Sequence, residues 1–122
     1  MRPIRMEISA FGPFAGREII DFRELGERSF FLIHGATGSG KTTVLDAMCF
    51  ALYGDTSGAE RTGDQMCCAF ANADALTEVV FDFSMGEKKY RVCRSPQRKR
   101  PKKRGDGFTV EPPKAELYDV TA

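Results

Sequence analysis

No pair of cysteines in this 122-residue chain stands in a C-x-x-C spacing, and no histidine lies close to Cys49, Cys67, Cys68 or Cys93. That removes the usual zinc sites and leaves no disulfide framework, so free thiols in a reducing cytoplasm are expected. The N-terminal residues Met1-Arg2-Pro3-Ile4-Arg5-Met6-Glu7 interrupt their apolar positions with charge. Without an uninterrupted apolar core they make neither a signal peptide nor a membrane span, and a soluble protein with no membrane contact is expected. Acidic residues are missing from 88–104, where ten of the 18 Lys and Arg lie. The net charge of +1 therefore conceals a remainder of 8 basic against 17 acidic residues, a balance of −9. The length allows one domain at most, able to bury roughly two thirds of its unfolded surface.

What is present is a nucleotide-site pattern. The apolar run Phe30-Phe31-Leu32-Ile33 reads as a buried strand and leads into G-A-T-G-S-G-K-T, from Gly35 to Thr42, which opens a long apolar segment. All four fixed positions of G-x-x-x-x-G-K-[ST] match, which chance alone would produce in roughly one of a few hundred chains of this length. Gly35 and Gly40 allow a tight turn in which the N–H groups of Gly38, Ser39, Gly40, Lys41, Thr42 and Thr43 face phosphate oxygens at a helix start. Lys41 is expected on the β- and γ-phosphates, and the Thr42 hydroxyl on a Mg²⁺ ion bridging them. A glycine-rich turn that merely caps a helix requires neither the lysine nor the hydroxyl. A complete P-loop nucleotidase also carries a second metal-binding carboxylate and a water-positioning group on later strands, so 122 residues suggest an incomplete machine.

Along the chain, Ile4, Met6, Ile8 and Ala10 alternate with polar residues as a half-buried strand, and Glu18-Ile19-Ile20-Asp21-Phe22 reads as an antiparallel partner across the turn Phe11-Gly12-Pro13-Phe14-Ala15-Gly16. Leu25-Gly26-Glu27-Arg28 is a loop. The helix from Lys41 to about Tyr53 has Asp46 as its only charge after Lys41, which predicts burial on several sides. Gly54 is placed as its C-terminal cap, with Asp55-Thr56-Ser57-Gly58 continuing as loop. Asp46 has two readings, help in setting the nucleotide site or hydrogen bonding to nearby backbone. The stretch from Arg61 to Asp74 predicts a short irregular helix with loops, ending in the turn Asn72-Ala73-Asp74.

Val79, Phe81 and Phe83 alternate as a strand, Ser84-Met85-Gly86-Glu87 supplies a hairpin turn, and Lys89 to Arg94 returns. Asp82 in this strand resembles a metal-holding carboxylate only superficially. Residues 97–107 predict an exposed basic loop stiffened by Pro96 and Pro101. Arg98, Lys99, Arg100, Lys102, Lys103 and Arg104 either contact nucleic-acid phosphates without sequence preference or form a solvated tract, and no interleaved aromatic supports base stacking. Ala115 to Val120 begins another strand.

The run H-G-A-T-G-S-G-K-T-T-V-L-D-A-M-C-F-A-L-Y-G-D-T-S-G, from His34 to Gly58, resembles the N-terminal part of the SbcC family, the ATPase subunits of SbcCD-type nucleases, allied to the SMC and RecF proteins. F-G-P-F at Phe11 to Phe14 and R-S-P at Arg94 to Pro96 agree, so the resemblance covers essentially the whole chain. It implies an α/β P-loop NTPase fold, the N-terminal lobe (1–122) of an ABC-type ATPase head, with a mixed, largely antiparallel sheet around a central P-loop helix. It also implies ATP and Mg²⁺ at Gly35, Gly38, Ser39, Gly40, Lys41, Thr42 and Thr43, and residues around Met66, Cys67 and Cys68 near the nucleoside. The implied partners are a second ATPase head and an SbcD-like nuclease subunit acting on DNA ends in repair and recombination. The chain carries no heptad segment, ABC signature, Asp-Glu pair or switch histidine, and His34 reads as a satisfied strand-end residue. Alone it is expected to bind nucleotide weakly without hydrolysing it, and no catalytic residue is assigned. Two rivals stay open at this stage, a small self-contained P-loop kinase or NTPase using Asp82 and a nucleic-acid-binding module with a vestigial nucleotide site.

Overall fold

A computed structural model describes residues 1–28, 30–56, 63–68, 71 and 75–122. Strands β1 (Arg2–Phe11) and β2 (Phe14–Asp21) form a hairpin, and a 3-10 turn at Phe22–Leu25 follows, its Arg23 N–H bonded to the Asp21 carboxylate at 3.0 Å. Helix α1 spans Lys41–Tyr53, and a second 3-10 turn spans Gly63–Met66. Strands β3 (Glu78–Met85) and β4 (Lys88–Ser95) make a second hairpin, β5 (Arg98–Pro101) and β6 (Phe108–Glu111) a third, and β7 (Lys114–Asp119) comes last. The main sheet has the order β2-β1-β3-β4-β7 with every neighbour antiparallel, and β5 with β6 forms a separate two-stranded sheet.

Period-two alternation gives the main sheet two chemically distinct faces. One carries the row Ile20, Met6, Phe81, Val92 and Leu117, set by register across all five strands. Met6, Ile8, Val79, Phe81 and Val92 on this face pack with Val44, Ala47, Phe50 and Ala51 of α1 into one core. Each fully buried large side chain there contributes about 1.5–3 kcal/mol of apolar burial. The opposite face carries the row Asp21, Arg5, Asp82, Arg91 and Tyr118, in which the first four charges alternate in sign from strand to strand. Cross-strand pairs of opposite charge stabilise a sheet without apolar cover.

Three expectations need correction. The run Phe30-Phe31-Leu32-Ile33 forms no strand and is not buried, with Phe30 92% and Leu32 83% exposed. A strand apolar on both faces needs a sheet to join and cover over both faces of it, and among the described residues none pairs with this run. His34, expected at a satisfied strand end, is accordingly exposed. The second correction is that α1, expected to be buried on several sides, is covered on one, leaving Leu45 50% and Tyr53 79% exposed, because a single sheet layer lies against it. Finally, the basic stretch is not all loop. Arg98 pairs with Glu111 and Lys99 with Val110 in a short ladder that ends at Pro101, where a missing N–H costs least. The expected loop at Ser57-Gly58 and the turn at Asn72-Ala73-Asp74 lie outside the described residues, as do Arg61, Thr62, Ala69 and Phe70 of the irregular segment from Arg61 to Asp74.

Phe81→Ala should lower stability by about 3–5 kcal/mol, read as a shift of the urea midpoint, whereas Phe30→Ser should stay within about 0.5 kcal/mol. A pH effect follows from Glu7, whose carboxylate meets Arg5 and Arg17 at 2.5 Å each. Burial alone would raise its pKa, but hydrogen bonds from Arg17 and Arg5 outweigh burial and leave it below its ordinary 4.5. The triad therefore stabilises the fold fully above pH 4.5 and loses that contribution as the pH falls through the lowered folded value. Denaturant melts across this range should show a shallower acid loss for Glu7→Gln than for the parent chain.

Candidate functional site

The N-terminus of α1 is built without a side-chain cap. Its N-cap, Gly40, lies in the left-handed region at φ 98°, makes no side-chain hydrogen bond, and is followed by no acidic residue in the first turn. The first bond inside the helix runs from the Val44 N–H to the Gly40 carbonyl at 3.3 Å. The first-turn amides of Lys41, Thr42 and Thr43 thus lack intrahelical acceptors, at the end of the helix dipole that favours an anion. Gly40 is required twice over. Its φ suits glycine, and a Cβ there would come within 2.5 Å of the Phe14 ring.

A recess of about 560 Å³ opens at this helix end. Of the residues expected from the sequence it brings together Gly38, Gly40, Lys41, Thr42 and Thr43. Gly35 and Ser39 stand behind it, so close that a Cβ on Gly35 would lie 2.8 Å from the Ser39 hydroxyl. The Lys41 ammonium donates to the Gly35 carbonyl at 2.6 Å, holding the lysine across its own loop with two N–H groups to spare. Thr42 is exposed at the rim, whereas Thr43 is buried. The two threonines therefore differ in surroundings: the Thr42 side chain is open to solvent, while the Thr43 side chain packs against Gly12.

The residues missed from the sequence are Gly12, Pro13 and Thr37, which also line the recess. A signal for the first two was present in the F-G-P-F turn. Gly12 has φ 58°, and a Cβ on it would lie 2.8 Å from Thr43 Cγ2. Met66, Cys67 and Cys68 do not line the recess but brace this turn. The Gly12 N–H donates to the Met66 carbonyl at 2.6 Å, and Phe11 bridges Cys67.

Motifs far apart in sequence converge on α1. The Phe14 ring of F-G-P-F faces Gly40 at its start. At its end Gly54 takes the left-handed cap conformation, its N–H on the Phe50 carbonyl at 2.8 Å, and Arg94 of R-S-P donates to the Ala51 carbonyl at 3.1 Å. Asp46 is buried on the core side of the helix. Asp82 lies elsewhere, on the charged sheet face, held bidentately by Arg91 at 2.7 and 2.8 Å. Of the basic residues, Arg98 is engaged by Glu111 at 2.9 Å and by the Ala75 carbonyl, while Lys99, Lys102, Lys103 and Arg104 are exposed. Arg100 sits between Arg98 and Lys102, in β5.

The AAA domain family matches residues 5–115. Among curated proteins, the SbcC subunit of the SbcCD nuclease of Vibrio cholerae serotype O1 is 54% identical over 96% of this chain, and the protein of the same name from Lactococcus lactis is 46% identical over 98%. The Staphylococcus aureus protein is 38% identical over 77%. The matched region spans 12%, 11% and 9% of those three relatives. The chain belongs to the AAA domain family, with the sequence of an SbcC-like N-terminal segment.

Proposed function

We propose that the recess at the start of α1 holds the phosphates of ATP with Mg²⁺, and that residues 1–122 act as the N-terminal lobe of an ABC-type head. The observation that carries this is the coincidence of an uncapped helix start, a glycine-shaped recess and Lys41 within one phosphate-loop sequence. The residues fit the cofactor. Gly38, Gly40 and the first-turn amides would receive phosphate oxygens, Lys41 would exchange the Gly35 carbonyl for phosphate, and the Thr42 hydroxyl would supply one oxygen to the metal. When bound, the metal neutralises charge between the β- and γ-phosphates.

Holding is separate from hydrolysis in this reading. Among the described residues that line the recess, the developing charge of phosphoryl transfer would meet Lys41 as the one cationic side chain, so turnover draws on further groups, as from a second head. The rival reading as a self-contained kinase loses support because Asp82 is neutralised by Arg91 on the sheet face turned away from α1. The SbcC-like relatives support a place in the cytoplasm beside an SbcD-like nuclease subunit, acting at DNA ends in double-strand-break repair and recombination. In that assembly residues 30–33 gain the flanking strands that their apolar composition calls for. DNA contact falls to Lys99, Arg100, Lys102, Lys103 and Arg104, with Arg98 as the internal strut of the arm that presents them.

Lys41→Ala removes a charge-assisted contact of about 1.5–3 kcal/mol and should weaken fluorescent-ATP binding in the presence of Mg²⁺ by about 10- to 100-fold. Unchanged affinity would show the site to be elsewhere, and turnover by the chain that Asp82→Ala abolishes would restore the kinase reading. For DNA, replacing Lys102, Lys103 and Arg104 by Ala should flatten the dependence of log affinity on log salt by about 0.9 for each phosphate no longer neutralised. An unaltered slope would remove the arm from the interface.

A further inference from the structure

Strand β1 does not run straight into the turn that walls the recess. Its register against β2 breaks between Ser9 and Phe11, and at the break Ala10 adopts φ 48°. Among the described residues it is the only one other than glycine with positive φ, a conformation that L-residues with a Cβ seldom keep unless their surroundings enforce it. The surroundings here are specific. Turned out of the ladder, the Ala10 carbonyl accepts the Thr77 hydroxyl at 2.8 Å and the Cys68 N–H at 2.9 Å. Both lone-pair sites are thereby used, and Thr77 itself is 2% exposed, so water does not compete for its hydroxyl.

The next two residues carry this restraint to the recess. Phe11 bridges Cys67, and the Gly12 N–H donates to the Met66 carbonyl at 2.6 Å. Three successive residues of β1 and its turn are thus stitched to the segment of Met66, Cys67 and Cys68. Gly12 and Pro13 form the wall facing the phosphate loop, with Gly12 against Thr43 of the first helical turn and Phe14 against Gly40. Backbone strain held in place beside a binding site is where positioning devices are found.

We infer that Thr77 is a positioning residue for the nucleotide: its hydroxyl, together with the Cys68 N–H, holds the Ala10 carbonyl turned outward and so fixes the Gly12–Pro13 wall against the phosphate loop. The inference rests on the reading of that recess as the nucleotide site. Because coupling between two sites is reciprocal, bound nucleotide also tightens the latch, and the amides of Gly12 and Cys68 report it.

The test uses the full chain, with fluorescent ATP and Mg²⁺ as probe and amide hydrogen exchange as a second readout. Thr77→Val keeps the side-chain volume and removes the donor. It should raise the Kd by about 5- to 10-fold, the lower end of ordinary coupling, while Thr77→Ser returns it to within about twofold. In the unsubstituted chain, nucleotide should slow exchange at Gly12 and Cys68, a readout that holds even if Thr77→Val fails to fold. Wild-type affinity in Thr77→Val beside a clear loss in Lys41→Ala would overturn the latch and leave the phosphate site standing. Unslowed exchange at both amides would overturn it equally, and no loss in Lys41→Ala would remove the nucleotide reading on which it rests.

Discussion

Phe50 of α1 and Phe11 at the end of β1 meet with ring centroids 5.6 Å apart, and both side chains are buried in the core. This contact locates the phosphate loop. Residues 30–38 before the helix pair with no strand among the described residues, so the loop takes its place from α1 and from side-chain contacts such as that of Phe31 with Phe22. Because Phe11 immediately precedes Gly12 and Pro13, one apolar contact sets both the helix that offers free amides and the turn that faces them. The inner row Met6, Phe81 and Val92 supports the pair from below, giving the recess a packed base although its loop is open.

The charges are distributed by the same division. The outer face of the sheet sets acids against bases, across strands in Asp82 with Arg91 and Glu7 with Arg17 and along β1 in Glu7 with Arg5. The segment 88–104 looks uniformly basic, but the fold separates its members. Arg91 neutralises Asp82, Arg94 supplies a cation to the C-terminal carbonyls of α1, and Arg98 braces the arm. Lys99, Lys102, Lys103 and Arg104 keep their charge in solvent, where phosphate attraction is long-ranged and salt-dependent. Counting charge along the chain therefore overstates the surface available to a polyanion.

Much of the architecture was legible because it depends on local pattern. Alternation placed Met6 and Ile8 on the core face and paired β3 with β4 across the turn at Gly86, while Gly54 ended α1 through a conformation that glycine holds readily. The errors share a physical cause. An apolar run such as Phe30-Phe31-Leu32-Ile33 encodes a capacity for burial, but burial belongs to the neighbours, and the described residues include no strand beside it. The exposed Leu45 and Tyr53 on α1 make the same point for a helix. In the basic arm, charge pointed to a loop, while the pairing of Arg98 with Glu111 depends on a residue 13 positions away.

By itself the sequence determined the phosphate-loop motif at the start of α1 and the kinship with SbcC-like proteins, since both reside in contiguous residues whose spacing a single turn and helix start impose. The tertiary structure alone decided what faces that loop. Gly12 and Pro13 as its opposite wall, Thr43 packed beneath Gly12 while Thr42 stays open, and Asp82 removed to the far face are consequences of strand register and side-chain contact. Such relations join residues tens of positions apart, as Thr77 joins Ala10, and no local spacing records them.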